Sequence, residues 1–374
     1  MKVLHIVPLV SDDSAFGGPV RGTARQSQAL TEKGHECQIL GLWRGAGDTP
    51  DEVLGVPATL YKFKRLPGHR FATALSLAPL RWIARNRKSV DVVHVHAGRD
   101  LWILLSMLLM RTLKIKYVWQ THGMLAPRNR LVYKLYDLVL TTPALRGASQ
   151  LLYLTDYERR DLESVGREWG LVHVVNGVEN IGELADSLSL PSSNEFRLAF
   201  ISRIHPRKRL IDLVKAVEKV NEQGGNVYLD IYGPDEGALA EVTEEINNRS
   251  LVSHVSYKGA LKYSEVRSTL REYHTMVLPS VNEPFPNIVL ESLASGVPVI
   301  LTKSCGLAPY IEDYKAGIVV EPGVDGLTRG IIEMMKNPRE REHLRRAGLK
   351  LAEDKFTMSG VATELANIYG GVAG

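Results

Sequence analysis

The chain of 374 residues carries only two cysteines, Cys37 and Cys305. Their separation matches neither a zinc-site spacing nor a disulfide scaffold, and so scarce a thiol content suits a reducing compartment. No apolar run is long enough to span a membrane. The longest, LWILLSMLLM at 101–110, is half of the roughly 20 residues a bilayer demands, so it predicts a buried helix. The opening MKVLHIVPLV is too short for the apolar region of a secretion signal and reads as a first strand. The dinucleotide pattern G-x-G-x-x-G is missing, and no acidic residue follows the first glycine turn at the expected place, which disfavours a dehydrogenase. No Asp-x-Asp pair follows a strand, so a metal-held diphosphate is not expected. These absences point to a cytoplasmic protein, or one held peripherally at the inner face of the membrane.

What is present is a globular composition, 44% apolar and 24% charged, and a length that predicts two domains. Net charge is a modest +4 but unevenly spread. Residues 1–180 hold 24 Lys/Arg against 16 Asp/Glu, and the remainder 22 against 26. The densest basic stretch, residues 61–88, alternates Lys62, Lys64, Arg65, Arg70, Arg81, Arg85, Arg87 and Lys88 with apolar residues such as Phe63, Phe71 and Trp82. Such a segment fits a solvated helix face, contact with an anionic membrane surface or the holding of an acidic acceptor. No recognisable motif surrounds these residues that would point to nucleic acid.

Apolar runs of strand length alternate with helix-like stretches. KVLHIVPLV, CQILGLW, VDVVHVHAG and KYVWQTHGM are strands of the first half. After a polar linker near 180–195 the pattern restarts with RLAFISRI, NVYLDIYGP, VSHVSYKG, TMVLPS, PVILTK and GIVVEP, and from Gly326 onward the chain reads as helical. Apolar strands separated by helices predict parallel sheets covered on both faces. The expected fold class is therefore α/β: two tandem Rossmann-like, doubly wound domains, 1–180 and 195–355, facing each other across a cleft. In open α/β sheets ligands bind at the carboxyl ends of strands, and every motif below falls just after one.

In RLAFISRIHPRKRL, Arg203 ends a strand and Lys208 opens a helix. Two cations beside helix amides can cradle a diphosphate, though with Arg207 and Arg209 in the same stretch a solvated basic loop explains them as well. In FGGP, Gly17 and Gly18 follow the first strand and let backbone amides approach an anion. In NEPFPNIVLESLASGVPVI, Glu283 follows a strand and Glu291 lies in the next helix. Carboxylates there accept hydrogen bonds from sugar or ribose hydroxyls, while the amides of Phe285, Asn287 and Ile288 can face sugar or phosphate oxygens. A capping glutamate and a surface ion pair would explain the same two residues.

The stretch from Glu283 to Glu291 resembles the Glu-x7-Glu signature of retaining glycosyltransferase family 4, which has the GT-B fold. The resemblance extends through FGGP, QTHGML, VVNGVE, SRIHPRK and YGPDEG, in order and spacing, over nearly the whole chain. It implies that Glu283 binds hydroxyls of the transferred sugar and Glu291 the nucleotide ribose. Arg203 and Lys208 would neutralise the donor diphosphate, approached from the other domain by Gly17 and Gly18. His122 of QTHG would contact the sugar near the reacting carbon. Gly233 of YGPDEG and the loop around Lys258 and Gly259 would line the nucleotide, and Asn176 and Gly177 would form a structural hinge turn. Residues 356–374 would return as a helix to the first domain.

One departure stands out: the loop commonly reads Glu-Gly-Phe-Gly, and Pro284 and Pro286 occupy both glycine positions. Proline has no N–H, so fewer amides are offered and the donor sugar is less predictable. Similar prolines, HGMLAPR and YGPDEGALAE resemble enzymes that build surface polysaccharides.

The resemblance implies a hexosyltransferase using a nucleotide diphosphate sugar, UDP- or GDP-linked, without a metal or other cofactor. The acceptor would be a hydroxyl of a glycan, a lipid-linked or a small molecule. Nucleotide-sugar 2-epimerases share this architecture, but the Glu-x7-Glu pattern argues against one. A non-catalytic binding subunit is the remaining alternative. His94 and His96 are expected to be strand-end residues facing the cleft rather than metal ligands. Asp235 and Glu236 read as loop carboxylates, Trp43 and Trp119 as core, and NPREREHLRRAG as solvated helix.

Overall fold

The computed structural model describes residues 1–11, 17–65, 74–128, 130–166, 169–181 and 195–374. It divides into two compact units: Met1–Gly177 together with Met358–Gly374, and Val178–Thr357. Most of the expected linker, 182–194, lies outside the described residues, as do Phe16 of the FGGP motif and Arg70 and Phe71 of the basic stretch.

The first domain runs β1 (Lys2–Ser11), α1 (Gly17–Glu32), β2 (Glu36–Arg44), β3 (Glu52–Val53), β4 (Val56–Tyr61), β5 (Lys64–Arg65), β6 (Ala74–Leu75), α2 (Ala78–Asn86), β7 (Val92–His96) and α3 (Leu101–Thr112). It continues with β8 (Tyr117–Gln120), α4 (Leu131–Tyr136), a π-helical turn (Asp137–Thr141), α5 (Thr142–Gly147), β9 (Gln150–Tyr153), α6 (Asp156–Ser164) and β10 (Leu171–His173). Its sheet has the order β10-β9-β8-β7-β1-β2-β4-β3. All neighbours are parallel except β3 and β4. Every residue of β7 and β8 is buried, as central strands covered on both faces must be. The apolar run at 101–110 is α3, with Trp102, Ile103, Leu104, Met107 and Met110 inside the core.

The second domain runs β11 (Phe196–Ile201), a 3₁₀ turn (Pro206–Lys208), α7 (Leu210–Glu222), β12 (Val227–Tyr232), α8 (Leu239–Asn248), β13 (Val255–Gly259), α9 (Tyr263–Leu270) and β14 (Thr275–Leu278). It ends with α10 (Asn287–Ala294), β15 (Val299–Thr302), α11 (Ala308–Tyr314), β16 (Gly317–Val320), α12 (Val324–Lys336) and α13 (Pro338–Lys355). Its six strands are all parallel in the order β13-β12-β11-β14-β15-β16. Renumbered within the domain this is 3-2-1-4-5-6, the doubly wound order whose ligand crevice opens where direction reverses. That switch point lies between β11 and β14. A last helix, α14 (Met358–Ala373), rejoins the first domain. Its Tyr369 is fully buried and donates to or accepts from His94 Nδ1 at 2.6 Å. At the junction the backbone passes so close to Met358 that a Cβ on Gly177 would stand 2.7 Å from its Cα, so only glycine fits.

Three expectations are corrected here. Gly17 and Gly18 do not form a turn before the helix; they are the first two residues of α1. The described part of 61–88 is not a single amphipathic element. Phe63, Leu75, Leu80 and Trp82 pack on the domain core, while Leu77 and the cations Lys62, Lys64, Arg81, Arg85, Arg87 and Lys88 face solvent, because the segment divides into a separate two-stranded ribbon, β5 and β6, and the helix α2, which packs on α3 and β4. His94 and His96 face no open space but are fully buried, since β7 is central and α14 covers it.

Candidate functional site

At the switch point of the second domain, β11 ends in Ile201 and the chain turns through Ser202, Arg203 and Ile204. Ile204 donates its N–H to Pro234 O and accepts from Glu236 N, lashing this loop to the one after β12. His205 then caps the 3₁₀ turn, its Nδ1 accepting from Arg207 N at 3.1 Å. Arg209 follows in the left-handed region, φ 54°, its guanidinium held by Asp212 on the first turn of α7. Arg209 is thereby committed to the helix, whereas Arg203, Arg207 and Lys208 remain at the crevice.

Lys208 is 4% exposed. Its ammonium donates to Glu283 Oε2 at 2.6 Å, and Arg207 Nη2 lies 3.8 Å from the same oxygen. Glu283 arrives from the far side of the switch point, in the loop after β14. Asn282 before it adopts φ 52°, and Glu283 O accepts from Gly306 N after β15. Burial lowers the Lys208 pKa; Glu283 acts to raise it, and Arg207 and Arg203 lower it further. A lysine in that position favours any anion that adds negative charge. The thiol of Cys305, whose backbone bridges to Glu283, is pushed up to about 12 by burial and is inert.

Arg203 is half exposed and donates from Nη1 to both oxygens of Glu236, at 2.9 and 2.8 Å. Asp235 accepts from the amides of residues 237, 238 and 239, which holds its own pKa low. Gly233 is required here: φ is 145° and a Cβ would meet Ser202 O at 1.8 Å. Gly259, at the end of β13, also has positive φ and its carbonyl accepts from Gly233 N.

Glu291, in the middle of α10, is buried. Its Oε1 accepts from Tyr263 OH at 2.5 Å, and Oε2 lies 3.9 Å from Arg267 Nε. Arg267 also donates to Glu179 O, Asn180 O and Ala294 O, so Glu291 is aimed by a rigid frame. Asn287 and Ile288 open α10, ahead of its first intrahelical bond from Val289 N to Pro286 O; a helix start of this kind directs amides outward. The Phe285 ring is buried edge-on to Phe356. Lys258 goes elsewhere: its ammonium is 3.5 Å from Asp230, an aspartate also held by Arg197 and Tyr273. The structure thus joins Lys208 with Glu283 and Arg203 with Glu236, and it separates Lys258 from both pairs.

In the first domain the strand order reverses between β1 and β7, and histidines line that seam. His5 and His94 are register partners. His5 Nδ1 and His96 Nε2 are 3.0 Å apart, and His96 Nδ1 and His122 Nε2 are 3.1 Å apart. Nitrogens of His5, His94 and His96 lie within 4.8 Å of one another. That is close enough for one ligand atom from each ring to reach a common metal ion. Burial holds all four rings neutral, with His122 lowered to about 4 and His5 to about 3.

His122 itself sits at φ 50° in the turn after β8. That turn is fixed by a residue the motif reading passes over. Glu158 of α6 is buried and accepts from the Thr121 hydroxyl, from Gly123 N at 2.6 Å and from Leu154 N at 2.7 Å. The available signal is Thr155-x-x-Glu158, a capping-box pattern. Thr155 does cap α6, while the glutamate reaches across to the neighbouring strand ends. Glu236, Tyr263 and Arg267 carry no such local signal.

Residues 186–351 match the family described as Glycosyl transferases group 1, and residues 17–177 match the Glycosyl transferase 4-like domain. Both halves of the chain thus match glycosyltransferase models, and the chain is a glycosyltransferase. This glycosyltransferase is 23% identical over 379 residues to the 2-deoxystreptamine N-acetyl-D-glucosaminyltransferase of Niallia circulans, an alignment covering 90% of the chain and 97% of the relative. It is 24% identical over 345 residues to the alpha-D-kanosaminyltransferase of Streptomyces kanamyceticus, covering 85% and 86%. Among solved structures, Anabaena Alr3699/HepE in complex with UDP and glucose superposes with a TM-score of 0.78 over 99% of both chains at 16% identity. WaaG, a glycosyltransferase involved in lipopolysaccharide biosynthesis, gives 0.68 over 99% of each at 16%. The α/β expectation and the GT-B fold hold for both domains of the glycosyltransferase.

Proposed function

We propose that this glycosyltransferase moves a hexose from a nucleotide diphosphate sugar, UDP- or GDP-linked, to a hydroxyl of a glycan, lipid-linked or small-molecule acceptor, with retention at the anomeric carbon. The observation that carries this reading is the buried Lys208–Glu283 contact at the second domain's switch point, flanked by Arg207 and close enough to Arg203 for the two cations to influence each other. Three cations there oppose Glu283 and, on Arg203, Glu236. A diphosphate would bring the charge that balances them, with Arg203 as a fork and Lys208 as a point charge. That Alr3699/HepE binds UDP and glucose supports a uridine donor.

In this reading Glu283 accepts from hydroxyls of the sugar and Glu291, aimed by Tyr263 and Arg267, from the ribose. Asn287 and Ile288 turn their amides toward donor oxygens, and Gly233 and Gly259 let the backbone approach the nucleotide. The acceptor oxygen attacks the anomeric carbon on the face from which the diphosphate departs. Its proton passes to a phosphate oxygen, and Arg203 and Lys208 stabilise the charge that develops on the leaving group. His122 is read as a contact to the sugar. The test is the product's anomeric proton, followed by NMR from a donor of known configuration. Retention supports the reading, and an inverted product overturns it.

A further inference from the structure

We propose that the outward face of residues 131–139 docks on an anionic lipid surface. Helix α4, the π-helical turn and α5 run without interruption from Leu131 to Gly147. One side of this rod is anchored. Arg99 holds Asp137 by two hydrogen bonds, Tyr136 OH donates to Arg99 O, Thr141, Ala144 and Leu145 are buried, and Leu140 packs on the core. The other side carries Leu131, Val132, Leu135, Leu138 and Val139, exposed by 81%, 77%, 61%, 67% and 57%. At 3.6 residues per turn these positions span roughly 120° of arc, one continuous apolar stripe. Single exposed apolar side chains are ordinary, but five in nine residues on one face mark an interaction surface.

Charge selects the occupant. Arg128, Arg130, Lys134 and Arg146 around the stripe are exposed. Between Leu101 and Thr155 the sequence has seven Lys/Arg and a single acidic residue, Asp137, which is turned inward on Arg99. An apolar stripe bordered by cations alone complements acyl chains beneath anionic headgroups. A protein partner would have to bring a wholly acidic rim to complement it. Among the described residues no helix is long and apolar enough to cross a membrane, so the rod would lie in the plane of one leaflet. In the described part of 61–88 Leu77 is the one large apolar side chain left exposed, whereas this segment leaves five outside. The inference does not rest on the donor-site reading, because its readout uses lipid alone.

The experiment is flotation of the full chain with vesicles of phosphatidylcholine alone or mixed with phosphatidylglycerol. The wild type should float with the mixed vesicles, and less so as salt rises. Leu135→Gln with Leu138→Gln should lower the partition coefficient at least roughly tenfold with circular dichroism and Tm unchanged. Arg130→Glu with Lys134→Glu should abolish the preference for phosphatidylglycerol. Three results would overturn the proposal: no flotation of the wild type, flotation indifferent to both variants, or a wild-type dimer made monomeric by the Leu135/Leu138 variant without vesicle binding, which would make a second copy the occupant.

Discussion

The Lys208 ammonium and the Glu283 carboxylate, 75 residues apart in sequence, meet at 2.6 Å where the strand order of the second domain reverses. Replacing Glu283 by Ala leaves a buried cation without its nearest counter-charge, and Glu283→Gln keeps the shape while removing the charge. On the reading that Glu283 also holds the sugar, both should reduce kcat by about 10²–10³-fold, the cost of losing one preorganised group. Initial rates with saturating donor measure this. Turnover within a factor of a few of wild type would exclude Glu283 from the donor site.

Glu236 aims Arg203 and contributes little else. An exposed ion pair of this kind adds about 0–1 kcal/mol to stability, so Glu236→Ala should leave Tm nearly unchanged. With its fork no longer held, Arg203 should bind the donor less well, raising KM several-fold more than it lowers kcat. An unchanged KM would detach the pair from the donor.

Glu158 should matter far more to folding. Glu158→Ala strands the Thr121 hydroxyl and the amides of Gly123 and Leu154, each costing about 1–3 kcal/mol when buried without a partner. The expected loss is therefore at least ~3 kcal/mol in denaturant unfolding, together with reduced turnover as His122 leaves its left-handed conformation. Glu158→Gln, which keeps an acceptor, should recover part of both.

The histidine seam predicts acid sensitivity of the first domain. The four rings have folded pKa values below the usual 6.5, reaching about 4 for His122 and about 3 for His5. Protons therefore bind the unfolded chain more readily. Stability is complete above about pH 6.5 and falls as pH drops toward 4, by about 1.4 kcal/mol per pH unit for each ring. Asp100, pushed up to about 6 by burial, and Glu158, also raised by burial, act in the opposite sense. The comparison of variants is thus the measurement: His5→Phe should flatten the dependence of unfolding free energy on pH across this window, and an unaltered slope would contradict the assignment.

Much of the fold is legible because central strands announce themselves. KVLHIVPLV, VDVVHVH, TMVLPS and PVILTK are apolar on both faces, and the helices between them carry their own period. The short strands β9 and β10, of which only β10 lies at the sheet edge, escape notice because QLLY and LVH are no more strand-like than a core helix. The same limit explains the sites. Arg203, Lys208, Glu283 and Glu291 stand in motifs, whereas Glu236 and Glu158 act across strand ends, and Tyr263 and Arg267 act from α9 onto α10, neighbours that only the folded domain brings near. Burial likewise reverses the reading of His94 and His96. A strand's last residues can face either solvent or a covering helix, and α14, more than 250 residues along the chain, decides between them.

The most direct test of the donor site is calorimetric titration of UDP and GDP into the wild type and Lys208→Met, a substitution that keeps the length of the buried side chain and removes its charge. The account predicts binding of one nucleotide to the wild type, and at least about tenfold weaker binding to the variant, the loss of a charge-assisted contact of about 1.5–3 kcal/mol. Equal affinity in the two proteins, or none for either nucleotide in a folded wild type, would contradict it.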